Sequence, residues 1–409
     1  MLGVAFAILL VWALVSRSGY LRANVSERDS VAYWAAGRLL LHGQNPYETG
    51  VVLQLEQQLG YQAAKPLVLR TPPWSLFMTF PLGTLDAFGA WILWIAISIS
   101  SLLLVLRLCW KMYGRAGLSK NVFLVAGYTF APIAACLVAG QMGILLLLGL
   151  TLFLWLEPDY PWLAGAALLL PFAKPHLLSL FWVALLFWMV RRRQYQVAVG
   201  LVLAFLAATG FALAFDPNIF RQYIEMLDQA AISSEFIPAL SGVVRLLFFR
   251  RFFWMQFVPM AVGLAWCIRF CYVNRDQWDW RDHGLAVMAV SVLTTPYSWM
   301  TDEVVLLPAM LQAVVAIASS RDKMTWKART VVTLFAFLNA LVLLILAAKV
   351  PFSTGIYFWS SLVWFSFYVY SRSYTVGHFD TAEGSLPISK PLQAAQTVSC
   401  LDTASPFAP

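Results

Sequence analysis

Asp29, Lys174, His176, Asp302 and Glu303 are titratable side chains that could do chemistry, and Lys174 lies so close to hydrocarbon that its charge is costly without a function or a partner. A carboxylate can take a proton from a hydroxyl, and a lysine or arginine can neutralise an anion. Lys174 lies between Pro171 and Pro175, where two apolar runs meet. It reads either as an anion-binding cation or as a lysine snorkelling to an interface. His176 beside it either shares the anion or packs. Asp29 follows Ser26 at the spacing of a helix start, so a capping role stands beside a catalytic one. Asp302 and Glu303 open a helical run, a position the helix dipole favours for carboxylates. Gln141 sits in the tight connection Gly140-Gln141-Met142-Gly143. Arg245 precedes Leu246-Leu247-Phe248-Phe249-Arg250-Arg251, a composition that suits an interfacial helix touching lipid phosphates. Arg38 pairs with a carboxylate or binds phosphate.

The elements that must position these residues are membrane helices. Of 409 residues, 61% are hydrophobic and 12% charged, with a mean hydropathy of +0.72; soluble domains carry about 25% charged residues. The apolar runs are continuous rather than alternating, which excludes a β-barrel. The net charge of +8 therefore belongs to loops that fix topology and is no sign of nucleic-acid binding. Cys109, Cys136, Cys267, Cys271 and Cys400 are scattered; Cys267 and Cys271, one helical turn apart, offer half a metal site at best. With no CxxC and no HExxH, no metal site is expected.

Apolar runs at 1–15, 87–110, 122–139, 144–156, 162–172, 177–190, 197–215, 253–272, 285–299, 304–318, 331–348 and 356–370 predict an all-α polytopic protein of about twelve transmembrane helices. The first run reads as a retained helix rather than a cleaved signal. Residues 74–82 are too short to cross and are expected in the interface or as a re-entrant piece. This scheme puts the basic clusters Lys111/Arg115/Lys120, Arg191–Arg192–Arg193, Arg275/Arg281 and Arg321/Lys323/Lys327/Arg329 on one face, which the positive-inside rule makes cytoplasmic, although Arg17 and Arg22 fall on the wrong side. Both termini are then cytoplasmic, with one transmembrane domain over 1–371 and a disordered tail over 372–409. The two long loops, 17–73 and 216–251, share the outer face. The first should hold an amphipathic interfacial helix ending near Gly43, then the turn Asn45-Pro46.

Asp29…Tyr33-Trp34-x-x-Gly37-Arg38…Gly43-x-Asn45-Pro46-Tyr47 resembles the first outer loop of glycosyltransferase family 87, bacterial membrane enzymes of GT-C type that include polyprenyl-phosphate-mannose-dependent mannosyltransferases. Thr71-Pro72-Pro73 with Pro81-Leu82 is similar to the family's Pro-Pro segment, and Gly140-Gln141-Met142-Gly143 to its Gly-Gln-x-Asn turn, with Gly143 for Asn. Phe172-Ala173-Lys174-Pro175-His176 resembles its Lys-x-x-Pro segment, Ser241-Gly242…Arg245 its second-loop signature, and Pro296-Tyr297-Ser298-Trp299 leading to Pro308 its Ser-Pro-x-Ser-Trp segment. Where the family often has a His pair after that Trp, this chain has Thr301-Asp302-Glu303.

The resemblance implies sugar transfer, mannose first among the sugars, from a polyprenyl-phosphate carrier to a hydroxyl of a glycan, lipid or protein. The reaction would run at the extracytoplasmic face of the inner (plasma) membrane. It implies Asp29 as general base; Lys174, His176, Arg245 and Arg38 at the donor phosphate; and Tyr33, Trp34, Gln141, Trp299, Asp302 and Glu303 around the substrates. No cofactor is evident beyond the lipid-phosphate sugar itself, and a divalent cation held by the acidic pair stays open. Two other classes compete. A multi-pass transporter or flippase is disfavoured because no internal repeat is visible and the polar residues gather at one face. An inactive relative that binds lipid carriers is the third.

Overall fold

The computed structural model describes residues 28–67, 69–114, 118–230, 237–248, 251–318, 326–351 and 354–376. The expected first crossing at 1–15, most of the tail, and Arg17, Arg22, Arg115, Arg250, Arg321 and Lys323 lie outside them. The described chain is all-helical, with no strand. Five helices are long and apolar enough to cross a membrane: Ala87–Tyr113, Tyr195–Phe215, Phe253–Val273, Met300–Ala318 and Arg329–Ala347. Two bent pairs raise the number to seven if each is one span. The expectation of twelve also takes shorter apolar helices as crossings.

Prolines account for part of the difference. The runs at 162–172 and 177–190 form a single pair, Pro161–Ala173 and Pro175–Arg192, bent by 116° at Lys174. Pro175 disfavours a helical conformation at the residue before it, and Lys174 accordingly leaves the helix at φ −129°, ψ 68°. The run at 122–139 is likewise Lys120–Tyr128 and Ala131–Ala139, bent by 46°. The expected helix 285–299 stops at Thr294, because Pro296 holds Thr295 extended. The following helix then begins at Met300, four residues earlier than its apolar run, and takes Thr301, Asp302 and Glu303 into its buried first turns.

Gly143–Leu156 is apolar on every side and most of its residues are buried, as a central helix should be. Ala87–Tyr113, Pro161–Ala167 and the Met300–Leu306 turns pack around it. The first-loop helix, Ser30–Leu41, is not a half-exposed interfacial helix as expected: only Arg38 and Leu41 escape burial. Gly37 explains this, for a Cβ there would meet the Thr79 carbonyl oxygen at 2.2 Å. The helix therefore packs backbone to backbone against Phe80–Gly83, the one-turn helix that follows a short 3₁₀ turn at Pro73–Met78.

Charged groups separate to the two ends of this bundle. At one end Arg191 pairs with Asp276 at 3.2 Å, Arg281 caps the Leu154 and Trp155 carbonyls at 3.0 and 3.4 Å, and Lys111 lies over the Trp155 ring. The first turn of Gly143–Leu156 points to the other end, about 20 Å away at 1.5 Å per residue. There the ring of Tyr47 lies 5.3 Å from that of Tyr223, joining the two long inter-helix segments.

Candidate active site

Four elements converge at that second end. Asp29 occupies the N-cap position of Ser30–Leu41, yet its side chain makes no capping bond. Its Oδ2 instead accepts from Gln141 Nε2 at 2.5 Å, while its backbone N–H donates to the Ala139 carbonyl at 2.9 Å. Gln141 reaches it from a turn that Gly140 makes possible in the left-handed region, φ +71°. The Gln141 Oε1 accepts from Tyr33 Oη at 3.1 Å and Lys174 Nζ at 3.4 Å. Only this orientation of the amide lets every contact pair a donor with an acceptor. Gln141 is thus the hub of the cluster rather than merely part of a tight connection.

Lys174, set at the 116° bend, also meets Asp302 Oδ1 at 2.6 Å. Asp302 Oδ2 accepts the Trp299 backbone N–H at 3.1 Å, so both of its oxygens are committed, one of them in the capping role foreseen for it. Glu303 points elsewhere: it accepts from Ser360 Oγ at 2.7 Å and Trp364 Nε1 at 2.9 Å, tying in the helix Ser360–Val376. Gly143, at the position where the resembling family has Asn, lies where a Cβ would meet the Thr301 carbonyl oxygen at 2.6 Å. The chain's two departures from that pattern therefore touch in space.

His176 lies edge-on to Tyr297 at 5.7 Å between ring centroids, and its Nε2 is buried with no hydrogen-bond partner among the described residues. Such a group costs about 1–3 kcal/mol when buried, so it marks a place where structure alone is not the explanation. Trp299 stands half-buried beside Tyr297, rings 6.2 Å apart.

Of the remaining expected residues Tyr33 joins this cluster through its hydroxyl on Gln141, and Trp34, Arg38 and Arg245 do not. Tyr33 and Trp34 are 4% and 6% exposed, so neither presents a ring face to a ligand; Trp34 donates to the Leu85 carbonyl and Tyr33 packs on Trp94. Arg38 is exposed and lies over the Trp34 ring. Arg245 donates to Gln256 Oε1 at 3.0 Å and lies over Phe253; Gln256 in turn donates to the Pro296 carbonyl. Arg245 therefore borders the site through Gln256 rather than facing Asp29.

Two residues escaped the sequence reading. Arg70 donates to Tyr297 Oη at 3.2 Å, and its charge is felt at Asp29. Its position just before Thr71-Pro72-Pro73 was the available signal. Glu56 gave none, since the polar helix Thr49–Gln58 looks solvated; yet its carboxylate is fully buried and both oxygens accept the Leu67 N–H at 3.1 Å. Burial, together with the negative charge of Asp29, raises the Glu56 carboxyl to about 7 against the pull of that N–H. Burial also raises the Asp29 carboxyl, opposed by the Gln141 hydrogen bond and the Lys174 and Arg70 charges. No group of three or more metal-ligating side chains occurs among the described residues.

A polytopic membrane protein with a carboxylate, an amide, a lysine and an arginine gathered at one end of its helices has the make-up of an enzyme working at a membrane face. The model of glycosyltransferase family 87 matches residues 71–296, more than half of the chain, and the chain belongs to that family. No curated protein and no solved structure matches it significantly. The protein is therefore a membrane glycosyltransferase by family.

Proposed function

We propose that this chain moves a sugar, mannose foremost, from a polyprenyl-phosphate carrier to a hydroxyl acceptor, with Asp29 as the general base. One observation carries the reading. Among the described contacts Asp29 is the cluster carboxylate with an oxygen left uncommitted: Oδ2 is held by Gln141, whereas Asp302 and Glu303 spend both oxygens on protein donors. A base must be fixed in place and still have a lone pair to offer. Its half-buried setting and raised affinity for protons suit that task at neutral pH.

In this reading the acceptor oxygen forms a bond to the anomeric carbon and its proton passes to Asp29 Oδ1. The bond from that carbon to the phosphate oxygen breaks, its electron pair staying on the phosphate. The carrier leaves as a phosphate monoester with one more negative charge, so cations must lie close by. The gathering of basic residues at the far end supports a cytoplasmic far end and an extracytoplasmic site, by the positive-inside rule. A twelve-span arrangement in the inner membrane with both termini cytoplasmic fits this orientation.

Asp29→Asn tests the assignment. Asn preserves the shape and the contact to Gln141 through an amide rotation, so folding and donor binding should persist while transfer falls about 10²- to 10⁴-fold. Transfer near the wild-type rate, measured on purified protein with a panel of polyprenyl-phosphate sugars, would remove Asp29 from the mechanism.

A further inference from the structure

At the basic end of the bundle, one group of arginines carries more charge than the acid beside it offsets. Arg191 and Arg192 close the helix Ser179–Arg192, and Arg275 follows the helix Val258–Val273, which packs beside it. With Phe187, Trp188 and Trp278 these three arginines line one cleft. The acid they meet is Asp276. Arg191 reaches its Oδ1 at 3.2 Å and Arg275 its Oδ2 at 3.5 Å, while Arg192 donates to its backbone carbonyl at 2.6 Å. Three guanidiniums thus share one carboxylate, itself 68% exposed. Asp279 and Arg281, which follow, are of opposite sign and leave that excess as it is.

We propose that this cleft binds an anionic glycerophospholipid, its phosphate among Arg191, Arg192 and Arg275 and an acyl chain along the apolar seam beside them. The site is independent of the chemistry proposed for Asp29.

Every polar side-chain atom lining the cleft is a donor: three guanidiniums and two indoles. The indole Nε1 of Trp278 is buried with no hydrogen-bond partner among the described residues. A buried donor without an acceptor is costly, and the ester carbonyls beside the phosphate of a glycerophospholipid can supply one. The guanidinium forks match phosphate oxygens two at a time.

The apolar surroundings select a lipid over a dissolved anion. Val183, Phe187 and Arg191 follow one another at i, i+4 and i+8, so one ridge of the helix runs from hydrocarbon to guanidinium. Val183 and Phe187 are exposed along it. Ile268 and Tyr272 form an exposed row on the neighbouring helix, and Arg275 lies over the Tyr272 ring at 4.3 Å. The two rows therefore lead to the same cleft, with apolar surface for an acyl chain next to cations for its headgroup. Charge then selects among lipids. A zwitterionic headgroup brings a cation back to the arginines, whereas phosphatidylglycerol brings negative charge alone.

In the test, the full chain is exchanged into micelles holding equal amounts of phosphatidylglycerol and phosphatidylcholine, and retained lipid is read by native mass spectrometry. Wild type should retain phosphatidylglycerol about 10- to 100-fold over phosphatidylcholine. Arg191→Gln with Arg192→Gln and Arg275→Gln should lower that preference to about threefold or less. A charge-matched control, Arg107→Gln with Arg193→Gln and Arg269→Gln, removes exposed arginines that do not line the cleft and should keep it. Asp276→Asn, at an exposed position, should raise it about fivefold, and it decides the matter if the cleft variant does not fold. No preference in wild type, equal losses in the two triple variants, or an unchanged preference in Asp276→Asn would each overturn the site. In nanodiscs of phosphatidylcholine, added phosphatidylglycerol should raise the melting temperature, whereas inorganic phosphate and glycerol 3-phosphate should not. An equal rise with either soluble anion would make this a small-anion site and overturn the lipid assignment.

Discussion

Each end of the helical bundle carries a buried or half-buried lysine- or arginine-carboxylate pair, and the two pairs are built differently. At the basic end, Arg372 forks onto both oxygens of Asp282, with NH2 to Oδ2 at 2.9 Å, and Gln312 Nε2 reaches the Arg281 carbonyl at 3.1 Å. Arg281 meanwhile closes the end of Gly143–Leu156. The charged donors there each meet an acceptor and tie helix ends together, while Tyr113 Oη, Trp278 Nε1 and Trp280 Nε1 are buried with no hydrogen-bond partner among the described residues. At the other end, Lys174 and Asp302 are paired just as closely, but the network runs on through Gln141 to the uncommitted oxygen of Asp29. Around it stand the Nε2 of His176, without a partner among the described residues, and a carboxyl at Glu56 titrating near neutrality. The difference lies in the charged groups: at the basic end Arg372 and Asp282 are spent on one another, whereas the Asp29 oxygen stays available for chemistry.

The largest contrast should come from Lys174→Ala. Asp302 is 1% exposed and would be left as an uncompensated charge. Breaking a buried pair from one side costs about 3–5 kcal/mol. Melting temperature and transfer rate should both fall, and Lys174→Ala with Asp302→Asn should recover stability more than transfer. Full recovery of both in the double variant would make the pair a structural latch like Arg372–Asp282 and erase the contrast between the ends.

How much of this was legible beforehand differs residue by residue. Lys174 stood out because a lysine between two apolar runs is expensive wherever the chain goes. The function class and the Asp29 position followed from ordered motifs. The partnerships did not, since Asp29 and Gln141 are separated by 112 positions and Lys174 and Asp302 by 128, and no local pattern encodes such pairings. Arg38 and Arg245 matched motifs but face other groups, because a motif fixes where a residue sits in the chain and not where its side chain turns. How the apolar runs join was hidden for a related reason: apolar composition is blind to a 116° bend, and Pro175 alone does not say how far the chain will turn.

A smaller effect is expected from Glu56→Gln, with a sign set by burial. The folded carboxyl lies near 7, above its ordinary value of 4.5, so between these values the folded state binds more protons than the unfolded one. Stability from this group is therefore full below about pH 4.5 and lost as pH rises through about 7. Gln keeps an acceptor for the Leu67 N–H and carries no charge. Thermal melting of the variant should match wild type at pH 5 and exceed it by a few degrees at pH 8. Equal melting temperatures at both pH values would show that Glu56 titrates normally and belongs with the paired groups of the basic end.

The smallest effect should be that of Arg372→Ala. The side chains of Arg372 and Asp282 are 29% and 35% exposed, so solvent already screens the pair and will receive the freed carboxylate. Gln312 Nε2 stays 3.4 Å from Asp282 Oδ1 as a remaining donor. Pairs of this exposure contribute about 0.2–1 kcal/mol, within which the melting temperature should drop only slightly. Transfer rate and donor KM should not change, because the helix Gly143–Leu156 separates the pair from Gln141 by about 20 Å. A fall in kcat without a fall in melting temperature would mean that the basic end reports to the cluster along that helix. The division into a paired end and an end with an oxygen to spare would then be wrong, and the two would form one functional unit.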